Sequence, residues 1–280
     1  MEELLPGREV VIGTRNGTVV TRILPNKERR LVGAWCFADH YGPNDITGTP
    51  GMSVNPHPHA GLQTVSWLIA GEIEHRDSIG SVQLIRPGQL NLMTAGRGIA
   101  HSEHSPAGAS GQMHGVQLWV ALPEAASNVD AHFEHHADLP RFTANDMVVT
   151  VLIGQLHGHT SPAKAYTPIV GADVRGAGTL AVQEDFEHML LPLDGSVATY
   201  HAPGRSEIRV DGDALLLGGQ PFDEQIVMWW NFVGRSHEEI VAMREAWEAH
   251  EHFGFDLPGD RIPAPPMPAT RLVPRGRLRH

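Results

Sequence analysis

The chain has 280 residues, enough for two ordinary domains or one duplicated β unit, and 41% of them are apolar, enough for a substantial core. A formal charge of −11 excludes broad binding to nucleic-acid phosphates, and no apolar run approaches the roughly 18 residues that span a bilayer. The first residues lack the basic and then apolar segments of a signal peptide, so a cytoplasmic protein is expected, monomeric by default.

In chain order, the 30 glycines and 21 prolines punctuate short apolar runs, as in an all-β protein with many tight turns. Val10 to Ile12 and Thr18 to Leu24 flank Asn16-Gly17, a strong two-residue hairpin signal. A buried strand then runs to Phe37 and contains Cys36, the single cysteine, which reads as a small buried hydrophobe rather than a reactive thiol. A Gly-, Pro- and Asn-rich loop is expected over 39–56, followed by strands at 62–70, 73–77, 82–85, 90–94, 100–104 and 115–121. Closely spaced strands without intervening amphipathic helices indicate an antiparallel barrel or sandwich.

We expect a first β domain over 1–124, a crossing over 125–146 and a second β domain over 147–280. The second half repeats the first in outline, since Gly71 and Gly195 each precede a second glycine, Gly88 and Gly212, by 17 residues. Ser236 to Glu239 is a capping box, and Ile240, Met243 and Trp247 recur at helical spacing, which predicts one amphipathic helix over 237–251. The five prolines from Pro258 to Pro268 make the tail over 256–280 extended, and its arginines, among them Arg271, Arg275 and Arg277, read as solvated.

Chemistry concentrates between Asn55 and Glu103. His57-Pro58-His59 and His101-Ser102-Glu103 are two ligand pairs of identical spacing, and side chains two apart on a strand share a face. Two such clamps on neighbouring strands would enclose one divalent ion with two octahedral positions open, which suits Fe(II), Mn(II), Ni(II) or Cu(II) better than a structural Zn(II). A purely structural ion is a poor explanation for open positions. His135-His136 and His157-Gly158-His159 have no partnering pair downstream and read as solvated loop residues. An offset of 124 residues, from Gly71 to Gly195, carries the four ligands to Ala181, Gln183, Gln225 and Val227, so no metal site is expected in the second half and His188 and His201 read as ordinary strand residues.

The wording of the chain resembles the pirin family of the cupin superfamily. The matching segments are Glu28 to Gly33, Asp39 to Pro43, His57-Pro58-His59, Gly71 to Ser78, Met93 to Glu103 and Trp229 to Phe232, so the likeness covers nearly the whole chain. Where many cupins place a ligating glutamate this chain has Gln63, and the carboxylate comes from Glu103. The resemblance implies an all-β bicupin, two antiparallel barrel or sandwich domains packed together, with a short C-terminal helix. It implies a mononuclear site of His57, His59, His101 and Glu103, with iron as the first expectation among divalent metals. It also implies an oxidoreductase with quercetin 2,3-dioxygenase activity on a flavonol or similar aromatic enediol. In that reading Glu103 takes the proton of the flavonol 3-hydroxyl, dioxygen adds to the ring and carbon monoxide leaves, with Gln63, Arg97 and His104 as candidate substrate contacts. The alternative it implies is an iron-dependent regulatory protein that acts on a transcription factor or metabolic enzyme by protein contact.

Overall fold

A computed structural model describes residues 2–12 and 18–277. The Asn16-Gly17 turn lies outside the described residues; the strands on either side of it, Arg8–Ile12 and Thr18–Leu24, pair antiparallel with Val10 opposite Val20. These two strands are the edge of a seven-stranded sheet with the spatial order His132–His136, Leu90–Thr94, Leu62–Ala70, Gln112–Ala121, Trp35–Asp45, Thr18–Leu24 and Arg8–Ile12. A four-stranded sheet, ordered Ser53–His59, Ile99–His104, Ile73–Asp77 and Val82–Ile85, stands against it. Ser66 of the larger sheet reaches Glu103 of the smaller, and Trp119 meets His59, so the sheets face one another across a shared interior.

The second unit is built alike. Its main sheet runs Glu2–Leu5, Ala198–His201, Glu187–Pro192, Ala214–Gly219, Ile169–Arg175, Met147–Leu156 and Arg141–Ala144. A two-stranded ladder of Ala177–Ala181 and Glu207–Asp211 closes a core of Met147, Val149, Leu180, Ile208 and Leu216. The architecture is thus all-β, two antiparallel units with one C-terminal helix. The chain ties the units together at both ends of the first. Glu2–Leu5 pairs with Ala198–His201 of the second sheet, and the segment between the units supplies His132–His136 to one sheet and Arg141–Ala144 to the other.

One apolar cluster spans both units and is anchored by Trp35, which is fully buried. Its indole Nε1 donates to the carbonyls of Val170 and Gly218 at 3.2 Å each. Gly171 leaves room for the ring, since a Cβ there would sit 3.0 Å from it. Nearby, Trp67 Nε1 donates to the buried Asp173 carboxylate at 2.7 Å, and the Gly33 N–H donates to Glu187 at 2.7 Å. Burial pushes the Cys36 thiol up to about 12, as expected for an inert packing residue.

Four local readings change. Residues 39–56 are not one loop: strand Trp35–Asp45 continues to Asp45 and the next begins at Ser53. Pairing with Gln112–Ala121 runs past Gly42-Pro43 and overrides the Gly-Pro signal, with a register slip between Met113 and Gly115 to accommodate it, whereas the ladder to Thr18–Leu24 ends at His40. His135 and His136 lie in a paired strand, whereas His157 is an exposed turn residue as expected; its ring and that of His159, in the short strand His159–Thr160, both stack on Phe142 at 4.9 Å. The helix starts as expected, with Ser236 accepting the Glu239 N–H, but ends at Glu248 because Ala249 caps it and His250 turns to φ 60°. Beyond it the tail is extended and lies across the first unit: the Ile262 N–H donates to the Pro56 carbonyl and the Arg30 N–H to that of Arg277. Its arginines are not simply solvated, since Arg277 pairs with the fully buried Glu187 and Arg271 with Glu238. No helix among the described residues is long and apolar enough to cross a membrane.

Two outcomes follow from the shared core. Trp35→Phe leaves the Val170 and Gly218 carbonyls without their donor and is expected to cost about 1–3 kcal/mol, read from the urea midpoint. His188 is buried in strand pairing with His201, and burial lowers it to about 4 from the ordinary 6.5. The unfolded chain then binds a proton that the folded chain refuses between those values, so this contribution to stability falls as pH drops from 6.5 to 4. His188→Gln is expected to flatten the acid side of the stability profile in thermal melts.

Candidate metal centre

The ladder of the four-stranded sheet sets the site. His101 is opposite His57 in one neighbouring strand and opposite Asp77 in the other, and Glu103 is opposite His75. With the two-residue repeat of a strand, His57, His59, His75, Asp77, His101 and Glu103 all belong to one face of this sheet, and all are buried.

The rings of His57, His59 and His101 lie 4.4 to 5.0 Å apart between centroids. One nitrogen from each falls within 4.8 Å of the others, and His75, His101 and Glu103 form a second group of the same kind. The four residues expected from the sequence are therefore gathered in two overlapping triads that share His101. Burial lowers the His57 imidazole to about 4 and holds His59 and His101 well below the usual range, the latter two helped by the neighbouring His57. All three are neutral near pH 7 and keep a lone pair. Burial raises the Glu103 carboxyl, against a hydrogen bond from Ser66 Oγ at 3.3 Å.

The hydrogen bonds behind the rings decide which nitrogens face inward. His57 Nδ1 donates to the Asn55 carbonyl at 2.8 Å, which leaves Nε2 as the lone-pair atom. His75 Nε2 lies 3.1 Å from Asp77 Oδ2, and His75 Nδ1 lies 3.3 Å from His101 Nδ1. If His75 donates to Asp77, its Nδ1 must accept, His101 Nδ1 must donate, and His101 Nε2 is left bare. That Nε2 is indeed buried with no hydrogen-bond partner, as is Nδ1 of His59. Bare imidazole nitrogens beside a buried carboxylate fit a divalent cation and little else. Asp77 is fixed in turn: burial raises its pKa, but hydrogen bonds from His75 and Ser81 outweigh this, with Ile79 N–H also donating, and the net shift is downward.

A cavity of about 510 Å³ opens over the donors, walled by Phe37, Trp119, Met228, Trp230 and Asn231, with Arg22 and Asp39 also lining it. Phe37 and Trp119 stack at 4.0 Å, and the Arg22 guanidinium lies 4.4 Å over Phe37. Of the expected substrate contacts, none lines this cavity among the described residues. Gln63 is buried and donates to Thr94 Oγ1 and the Lys164 carbonyl; Arg97 is exposed and pairs with Asp130 at 2.6 Å; His104 lies 3.3 Å from Ser53 Oγ. His75, Asp77 and Trp230 escaped the sequence reading as site residues, although the alternation His75-Arg76-Asp77 repeats the clamp spacing and lies in a segment already singled out.

A family model described as Pirin matches residues 17–120, and one described as the Pirin C-terminal cupin domain matches residues 175–254. The chain belongs to the pirin family. Among other pirin relatives it is 45% identical to a Pseudomonas aeruginosa protein provisionally named a quercetin 2,3-dioxygenase, over 90% of this chain and 87% of that one. It is 34% identical to a pirin-like protein of Caulobacter vibrioides, over 88% and 94% of the two chains. A crystal structure of an Acinetobacter baumannii quercetin 2,3-dioxygenase superposes with a TM-score of 0.91 at 40% identity and 96% coverage of both chains. Both family models thus fall where the two β units of this pirin lie.

The hydrogen-bond chain from Asp77 through His75 to His101 gives a direct test. Asp77→Asn keeps one oxygen on the Ile79 and Ser81 N–H groups and turns an NH2 donor toward His75, which reverses the tautomer without touching a candidate ligand, and is expected to weaken metal binding about 10- to 100-fold in chelator competition.

Proposed function

We propose that this chain is a metal-dependent dioxygenase acting on a planar aromatic enediol of the flavonol type. The observation that carries the reading is the pair of bare, buried nitrogens on His59 and His101 at the base of an aromatic-walled cavity. His57, His59, His101 and Glu103 would hold the ion, with Fe(II) the first candidate. Such an ion would supply a Lewis acid with open positions and a redox partner for dioxygen.

The chain's own residues supply the rest. Phe37, Trp119 and Trp230 line the cavity together and give it an aromatic rim suited to a planar substrate. Glu103 is the one carboxylate in both the donor set and the cavity lining that lacks a cationic partner among the described residues; Asp39 is held by Arg22 at 2.7 Å. Glu103 is placed to accept a substrate hydroxyl proton as its own bond to the ion lengthens, since a bound cation lowers a carboxylate's proton affinity, and Ser66 Oγ lies 3.3 Å behind the carboxylate. The Gln117 side-chain amide lies 2.9 Å from the same Ser66 oxygen and competes with Glu103 for its single proton, which couples the base to the cavity wall. Burial of the donors keeps bulk water from competing for the site.

After anaerobic loading with Fe(II), oxygen uptake with quercetin is the test. Glu103→Gln is expected to lower turnover by about 10²- to 10⁴-fold while iron is retained, and His101→Ala to lose both iron and turnover. Wild-type turnover in Glu103→Gln would remove the base assignment, and iron binding without oxygen uptake would remove the oxygenase.

A further inference from the structure

A second cavity of about 650 Å³ lies between the N-terminal strands and the C-terminal tail. Six cationic side chains line it, Arg8, Arg22, Lys27, Arg30, Arg271 and Arg275, and no carboxylate does among the described residues. In a chain of formal charge −11 that is a concentrated exception. Arg22 is paired with Asp39 and Arg271 with Glu238, and Arg30 donates to the Gly276 carbonyl. Arg8, Lys27 and Arg275 form no ion pair among the described residues, so the cavity keeps a net positive field that nothing inside it cancels.

This cavity adjoins the candidate metal centre. Arg22, Pro25 and Met228 line both cavities, so the two meet along that wall. The metal cavity alone is within the usual range for a drug-sized ligand, roughly 300–1,000 Å³, so a bare planar enediol leaves the cationic cavity unused.

We propose that the substrate is an aromatic enediol carrying an anionic group, a sulfate, phosphate or carboxylate, remote from its metal-binding oxygens, and that the cationic cavity receives that group. This rests on the dioxygenase reading for the enediol end, whereas the anionic end rests on the second cavity. Lys27 and Arg275 are its specificity residues. The Arg275 main chain pairs with Ile226 in both directions, at 2.9 and 3.0 Å, so its side chain can be replaced without losing the tail's attachment.

The test is calorimetric titration of the Fe(II)-loaded protein under nitrogen, where no turnover occurs, with quercetin and with its ring-A and ring-B monosulfates. One monosulfate is expected to bind on the order of tenfold more tightly than quercetin, as charge-assisted contacts allow. That advantage should shrink with added salt and vanish in the Lys27→Gln/Arg275→Gln double variant, with quercetin affinity unchanged. Equal binding of charged and neutral compounds, binding of none, or an advantage that survives the double substitution would overturn the proposal. So would inorganic sulfate that binds without competing with the flavonol sulfate, because the cavity would then be an independent anion site. A retained preference for the sulfate with no oxygen uptake would instead sink only the oxygenase reading.

Discussion

The structure depends on one constraint: six polar side chains, His57, His59, His75, Asp77, His101 and Glu103, are packed on the inner face of a four-stranded sheet. A buried polar group without a partner costs roughly 1–3 kcal/mol, so a face like this survives only if most of its atoms are satisfied. The backbone of Asn55, the carboxylate of Asp77 and the hydroxyl of Ser66 satisfy the outward atoms. On this face His59 Nδ1 and His101 Nε2 are left without a partner, which marks the candidate metal centre. The second unit and the tail then matter to the chemistry because they finish the enclosure: Met228, Trp230, Asn231 and Ile262 come from the far side of the chain to wall the cavity.

The clustering of the candidate ligands was legible from spacing because strands repeat every two residues, and the His-x-His and His-x-Glu pairs carry that period on their own. Most strands were legible for the same reason. The capped helix start was legible because its signal is local. Its end was not, since Ala249 and His250 carry no residue that announces a stop. Pairing at a distance was invisible too: nothing in Glu2–Leu5 names Ala198–His201 as its partner, and the Gly42-Pro43 pair argued for a loop where pairing with Gln112–Ala121 enforces a strand.

The same limit explains the site residues that were misplaced. Gln63, Arg97 and His104 were singled out because they stand near the ligands in sequence, yet proximity along a strand sends alternate side chains to opposite faces and loop residues to solvent. His75 and Asp77 were overlooked because their contact with His101 becomes visible only when Ile73–Asp77 is paired beside Ile99–His104. The cationic cavity is the extreme case, assembled from residues between 8 and 275 that no window of sequence brings together.

The account turns on which donors face the ion. Anomalous diffraction at the metal edge, from crystals of the metal-loaded protein, addresses it without reference to any substrate. The account predicts one strong peak bonded to His57, His59, His101 and Glu103, with His75 behind His101. A peak bonded to His75, His101 and Glu103 but not to His57 and His59, or one elsewhere in the fold, would contradict it.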